Sequence, residues 1–151
     1  MIALSPIGTV KNARPIVEDD HWGEIVSVIE LDASLTEDAL FQIETFSHAE
    51  IIFHFHLVEE TKIVTGARHP RNNKDWPRVG IFAQRGKNRP NCLGASIVRI
   101  IKREGARLFV QGLDAIDGTP VLDIKPVMKE FLPQGNIVQP QWATELMKNY
   151  W

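Results

Sequence analysis

A chain of 151 residues that is 44% hydrophobic and 24% charged, with a formal net charge of −2, fits one domain with an ordinary core and excludes global disorder. No run of about 18 apolar residues occurs, which excludes a membrane-spanning helix, and Met1 to Pro6 lacks the charged and apolar regions of a signal peptide. The one cysteine, Cys92, cannot form an internal disulfide, so a cytoplasmic protein is expected.

Residues 7–11 alternate weakly and read as a first strand, and the β-branched run 23–31 as a second. Ser34 to Glu37 matches a capping box, and Leu35, Ala39, Leu40, Ile43 and Phe46 then fall near one helical face, which predicts a helix over about 35–45. Residues 50–58 read as a long strand, with Ile51, Phe53, Phe55 and Leu57 on one face and Glu50, His54 and His56 on the other. Residues 59–78 form a long irregular loop, 79–83 a short strand and 84–94 a second polar loop. Two strands, 95–102 and 108–113, meet at Glu104-Gly105, and the Asp117-Gly118 turn precedes a strand at 121–124. A short helix over 140–150 ends in Tyr150-Trp151. Many short strands and little helix predict a mainly β domain, a barrel, with no internal repeat or linker.

The charge is unevenly spread. Residues 62–107 hold 12 cations against two anions, a net +10, whereas the remainder holds five cations against 17 anions, a net −12. Such a stretch points to a polyanionic partner or an anionic ligand, or else to a solvated face neutralised by the acidic flanks.

There is no G-x-G-x-x-G, Walker loop, H-E-x-x-H, C-x-x-C or G-x-S-x-G, which weighs against dinucleotide binding, NTP hydrolysis and hydrolase chemistry. His54 and His56, with Glu50 and His48 nearby, could ligate zinc or non-haem iron. Isolated H-x-H pairs are more often hydrogen-bonded or interface histidines, so no metal is expected. The loop 85–94 offers Arg85, Lys87 and Arg89 with Asn88 and Asn91, suited to a carboxylate or phosphate. Asp114, Asp117 and Asp123 could accept bonds from a ribose or ammonium or attract a sulfonium, although aspartate before glycine also shapes turns. Cys92 has no base nearby and reads as a packing residue.

Several of these pieces occur together and in order. They are Pro6 to Val10, Phe46-Ser47-His48 with the strand to His56, His69-Pro70-Arg71, and Val79 to Arg85. Asn88 to Asn91, Leu93 to Ser96 and Asp117 to Pro126 follow. Over about residues 5–126 the chain resembles the TsaA-like (TrmO, YaeB) family. The resemblance implies a dimeric β-barrel that binds S-adenosylmethionine near the subunit interface. It implies methylation of N6 of threonylcarbamoyl-adenosine, next to the tRNA anticodon. Cofactor contacts would then fall on His56, Leu57, Arg85, Ala95 and the turn Asp114, Ala115, Ile116, Asp117, with residues 19–22 as a further wall. Arg71, Lys74, Lys87, Arg89 and Asn91 would face the acceptor strand, and no catalytic base is assigned.

Three positions depart from the family pattern. Cys92 stands where proline is usual, Val127 where tyrosine is common, and the chain ends at Trp151 where some members carry a C-terminal domain that helps hold tRNA. Three rival functions remain open at this point. They are methylation of a small-molecule acceptor, a non-catalytic module that senses S-adenosylmethionine, and, more remotely, a metal-dependent enzyme using His54 and His56.

Overall fold

The computed structural model describes residues 1–151. Eight strands form, β1 (Gly8–Lys11), β2 (Val26–Leu31), β3 (His48–His54), β4 (Ala67–Arg68), β5 (Val79–Gly80), β6 (Leu93–Glu104), β7 (Arg107–Gln111) and β8 (Pro120–Pro126). Six of them close into a barrel in the order β1-β2-β7-β6-β3-β8, every pair antiparallel, while β4 and β5 pair separately outside it. The mainly β barrel expected from the sequence is the observed fold. No helix is long and apolar enough to cross a membrane.

Alternation explains the interior. In β3 the odd positions Ala49, Ile51 and Phe53 are buried while the even ones are half-exposed. Val10, Ile29, Val98, Leu108, Val110 and Val121 fill the same interior from the other five strands. Closing a small barrel requires sharp bending, and two bulges supply it. One falls between Ile52 and Phe53 against β8, the other between Ile100 and Lys102 against β7.

Three expectations need correction. The helix over 35–45 is replaced by two short 3-10 turns, Glu37–Leu40 and Ile43–Thr45. Gln42 between them has φ 72°, which no helix continues through, and of their residues only Leu40 is buried. Ser34 does not cap a helix, because its side chain donates to Asp32 instead, 2.5 Å away. The strand expected to run to 58 stops at His54, after which Phe55 N–H turns to donate to the Cys92 carbonyl at 2.8 Å. The strand expected at 79–83 keeps only Val79–Gly80 before a 3-10 turn, Ile81–Ala83.

The C-terminal helix is present as α1 (Gln141–Leu146), continued by a 3-10 turn, Met147–Asn149. Nine helical residues are too few to persist alone in water, where about 12–15 are needed. This segment is held by the surface on which it lies.

Candidate functional site

A cleft of about 1110 Å³ opens at one end of the barrel. Its floor is the end of β3 and the start of β6, with Phe53 and Gly94 to Ile97, and the loop after β7, with Asp114, Ala115, Ile116 and Thr119. Its rim is built by the loops at 17–22, 55–58, 68–72 and 79–88. Its last wall is the C-terminal segment, through Trp142, Leu146, Met147, Tyr150 and Trp151. Half of its 38 lining residues are hydrophobic and the rest include several charged side chains, so it can hold a ligand that is both apolar and charged.

Most of the residues singled out in the sequence meet here. His56, Leu57, Arg85, Ala95, Asp114, Ala115 and Ile116 line the cleft, as do Arg71 and Lys87. Asp19 and Trp22, from the further wall, line it too. Asp117, Lys74, Arg89 and Asn91 do not. The Asp117 carboxylate accepts from Asn12 N–H at 2.9 Å, and the Asn12 side chain in turn donates to the Ala115 carbonyl at 2.8 Å. Asp117 thus fixes the loop that carries Asp114 without facing the cleft. Arg89 is turned onto its own loop, donating to the Gln84 carbonyl at 2.6 Å. Lys74 and Asn91 are exposed. Cys92 is buried, and its thiol faces the Arg89 carbonyl at 3.3 Å.

Arg85 is exposed, and one guanidinium nitrogen donates to the Ala95 carbonyl at 2.5 Å. That single tether leaves most of its five N–H donors free. Asp114 is half-buried, and its two oxygens accept from different hydroxyls, Ser96 on Oδ1 and Tyr150 on Oδ2. No Lys, Arg or His pairs with it. Burial, and next the Asp114 carboxylate, push the Tyr150 hydroxyl well above the usual phenol range, so it remains a proton donor.

His56 is half-buried beside His54, and burial first, then the neighbouring imidazole, hold it below its ordinary value. The native state therefore binds fewer protons than the unfolded chain once the pH drops below about 6.5. Stability should fall as pH falls from there to the lowered native value, and level off below it. Urea midpoints measured from pH 7.5 downward, with about half-unit steps, check this. The acid slope should shrink in His56→Gln; an unchanged slope would assign it elsewhere. No three His, Cys, Asp or Glu side chains converge anywhere on the chain.

The basic stretch divides along β6. At the far end, cations are matched by the acidic flanks, with Arg103 forked on Glu44 at 2.9 Å twice, Lys102 on Glu104 at 2.7 Å and Arg107 near Glu30 at 4.0 Å. The Arg103 fork holds the Glu44 carboxyl down to about 2. Around the cleft the balance differs. Arg71 pairs with Asp20 at 2.9 Å, but Arg68, Lys74, Arg78, Arg85, Lys87 and Arg89 have no carboxylate partner. The neutralised-face reading holds for the Lys102–Arg107 end, and of the cations without a carboxylate partner Arg68, Arg85 and Lys87 line the cleft.

Sequence reasoning missed Tyr150, Ser96, Trp142 and the whole C-terminal wall. The available signal was the aromatic density there, since Trp142, Tyr150 and Trp151 stand within ten residues of an otherwise polar terminus.

Residues 11–131 match the family model described as the tRNA-methyltransferase O N-terminal domain. A putative S-adenosylmethionine-dependent methyltransferase, RcsF, of Pseudomonas aeruginosa is 43% identical over 145 residues, covering 90% of this chain and 57% of that protein. The human tRNA (adenine(37)-N6)-methyltransferase is 35% identical over 113 residues, 75% of this chain and 25% of that one. A probable S-adenosyl-L-methionine-binding protein of Pyrococcus abyssi is 34% identical over 142 residues, covering 91% of this chain and 74% of its own. Among solved structures, TrmO from P. aeruginosa superposes with a TM-score of 0.72 at 28% identity, covering 93% of this chain and 61% of that one. The chain thus spans between a quarter and three quarters of the length of these relatives.

Proposed function

The chain belongs to the tRNA-methyltransferase O N-terminal domain family, and on that premise we propose that it is an S-adenosylmethionine-dependent methyltransferase acting on N6 of the adenine next to the tRNA anticodon. The observation that carries this reading is a single cleft joining a free guanidinium, Arg85, to a carboxylate with no cation of its own, Asp114. S-adenosylmethionine presents the complementary groups, a carboxylate and two positive charges on an adenosine. Arg85 takes the carboxylate in this reading, and Asp114 faces the positive charge. Ala115, Ile116, Leu57 and His56 wall the nucleoside, and backbone groups of the 114–117 loop read its adenine edge. When bound, the donor supplies an electrophilic methyl, so that transfer forms one N–C bond, breaks one C–S bond with its electron pair left on sulfur, and frees one proton from nitrogen.

The protein's part is positioning. Holding donor and acceptor at attack distance in a partly dry cleft can supply up to roughly 7–11 kcal/mol. His56, whose imidazole is held by burial below its ordinary value, and the cleft aspartates are the groups within the cleft that could accept the released proton, and no one of them is assigned as the base. Arg71 and Lys87 meet the acceptor at the lip, Lys74 lies further out on the same basic face, and Arg89 with Asn91 shapes the loop between them. A second copy of the chain covers Leu57, Ile97 and Phe82, large apolar side chains that are 58%, 48% and 76% exposed beside the cleft. A cytoplasmic location, where such a tRNA would be met, is part of this proposal.

The test is methyl transfer from labelled donor to tRNA from cells lacking this modification. Label should appear on N6 of the adenine beside the anticodon. Binding of that tRNA should fall with salt at a log–log slope of about −3, as expected for roughly four phosphate contacts. A flat salt response, with label in the small-metabolite fraction, would replace RNA with a small acceptor. Donor binding without any transfer would leave a sensing module.

A further inference from the structure

The cleft is lined by four carboxylates, Glu18, Asp19, Glu50 and Asp114, and they are not equivalent. Glu18 is already paired with Arg14, Asp19 is exposed on the rim, and Glu50, half-buried on β3, has neither a cation partner nor a side-chain hydrogen bond to fix its direction. Asp114 alone is gripped by hydroxyls on both oxygens. Two neutral donors fix the direction of a carboxylate without cancelling its charge, and each oxygen keeps a free lone pair. Its neighbours Leu113, Ala115 and Ile116 are buried and apolar, and although no cation pairs with it directly, Arg85 and Arg71 act from across the cleft on the Tyr150 hydroxyl that it holds.

The two hydroxyls come from very different places. Ser96 is a buried residue of β6, held by the barrel itself. Tyr150 arrives from the C-terminal segment, and its backbone is docked by two bonds, His21 N–H to the Asn149 carbonyl at 2.9 Å and Trp22 N–H to the Tyr150 carbonyl at 2.8 Å. Gly23 makes this docking possible, because a Cβ there would lie 2.7 Å from the Trp151 carbonyl carbon. Trp76 adds a tether, its indole N–H donating to Glu145 at 2.7 Å. The segment is stitched to the rim so that one phenol reaches the cleft floor.

We propose that Tyr150 is a positioning residue for donor selection, which together with Ser96 aims the unpaired Asp114 carboxylate at the positive sulfur that distinguishes a sulfonium donor from its neutral thioether product. The proposal rests on the reading of the cleft as an S-adenosylmethionine site. Across a methyl transfer the carboxylate, the ammonium and the adenosine of the donor are unchanged. What is lost is the methyl group together with the positive charge on sulfur, and a carboxylate with no protein cation paired to it is a group able to sense that charge. Release of spent product and retention of fresh donor would both follow from that one contact.

Calorimetry with S-adenosylmethionine and S-adenosylhomocysteine on the whole chain and on Tyr150→Phe separates the roles. The phenylalanine keeps the ring and its packing and removes only the hydroxyl. The ratio of the two affinities should shift toward the thioether by about tenfold, equivalent to about 1.4 kcal/mol, while thioether affinity stays nearly constant. Ser96→Ala, acting on the other oxygen, should move the ratio the same way, and Asp114→Asn should move it furthest. These variants carry the test even if Tyr150→Phe folds poorly. Equal weakening of both ligands, or an unmoved ratio, would make Tyr150 a structural residue and overturn the proposal. If the unaltered chain binds neither compound, the cofactor reading itself fails, a distinct result that removes the proposal with it.

Discussion

Arg85→Ala should lower affinity for S-adenosylmethionine by roughly one to two orders of magnitude and leave the melting temperature almost unchanged. The side chain is exposed, and its one bond within the protein goes to the Ala95 carbonyl, which water can satisfy once the arginine is gone. Little stability is therefore at stake. A charge-assisted hydrogen bond to a ligand carboxylate is worth about 1.5–3 kcal/mol, which sets the size of the affinity loss. Arg85→Lys separates charge from shape. It keeps the cation and loses the planar fork, so its affinity should fall between the other two. Calorimetry on the three proteins measures this directly. Unchanged affinity in the alanine variant would remove Arg85 from the site and leave the cleft without its carboxylate anchor.

Strand periodicity was the most legible part of this fold. The odd-position apolar run in β3 specified its buried face, and the Asp117-Gly118 and Glu104-Gly105 turns marked real reversals, with Gly118 at φ 85° and Gly105 at φ 58°. Helical periodicity misled at 35–45, because five apolar residues at helical spacing cannot hold a helix that has no surface to bury against. Only Leu40 there is fully buried, Ile43 packs against the edge of the core, and Phe41 stayed 66% exposed. The strand over 50–58 was overextended for a related reason. Phe55 and Leu57 continue the alternation in sequence, but the barrel ends at His54 and those side chains serve the rim.

Site residues were legible where a motif carried them and opaque where a long-range contact did. Arg85 and Asp114 stand in polar blocks of the sequence, whereas Ala95 was pointed to only by the family resemblance. Asp117 sits in the same run, yet its carboxylate is spent on Asn12, a partner 105 positions away that no local pattern reveals. Tyr150 was hidden in the same way. Its role depends on Asp114, 36 positions earlier, and on backbone bonds to residues 21 and 22. The charge asymmetry was visible as a sum, but its division required the β2–β7 pairing that sets Glu30 near Arg107 and the packing of the 43–45 turn on β6 that sets Glu44 against Arg103.

The contact between Gly94 and Phe53 joins stability to the site, and it yields the largest expected destabilisation. A Cβ on Gly94 would sit 2.4 Å from two carbons of the Phe53 ring, far inside contact distance. The ring is 1% exposed and packed edge-on against Phe55, with centroids 5.3 Å apart, so it has nowhere to retreat within the core. Gly94→Ala should therefore cost about 2–3 kcal/mol, the upper range for overpacking. Phe53→Ala alone should cost about 3–5 kcal/mol through lost burial and the cavity left behind. The two are not additive. With the ring absent the extra methyl has space, so the double variant should be no less stable than Phe53→Ala, a coupling of about 2 kcal/mol that urea denaturation can measure. Both residues line the floor of the cleft. In the single Gly94→Ala variant the ring should be pressed toward the ligand space, so donor affinity should drop along with stability. Additive stabilities would show that the barrel yields elsewhere and that the cleft floor is softer than this packing implies.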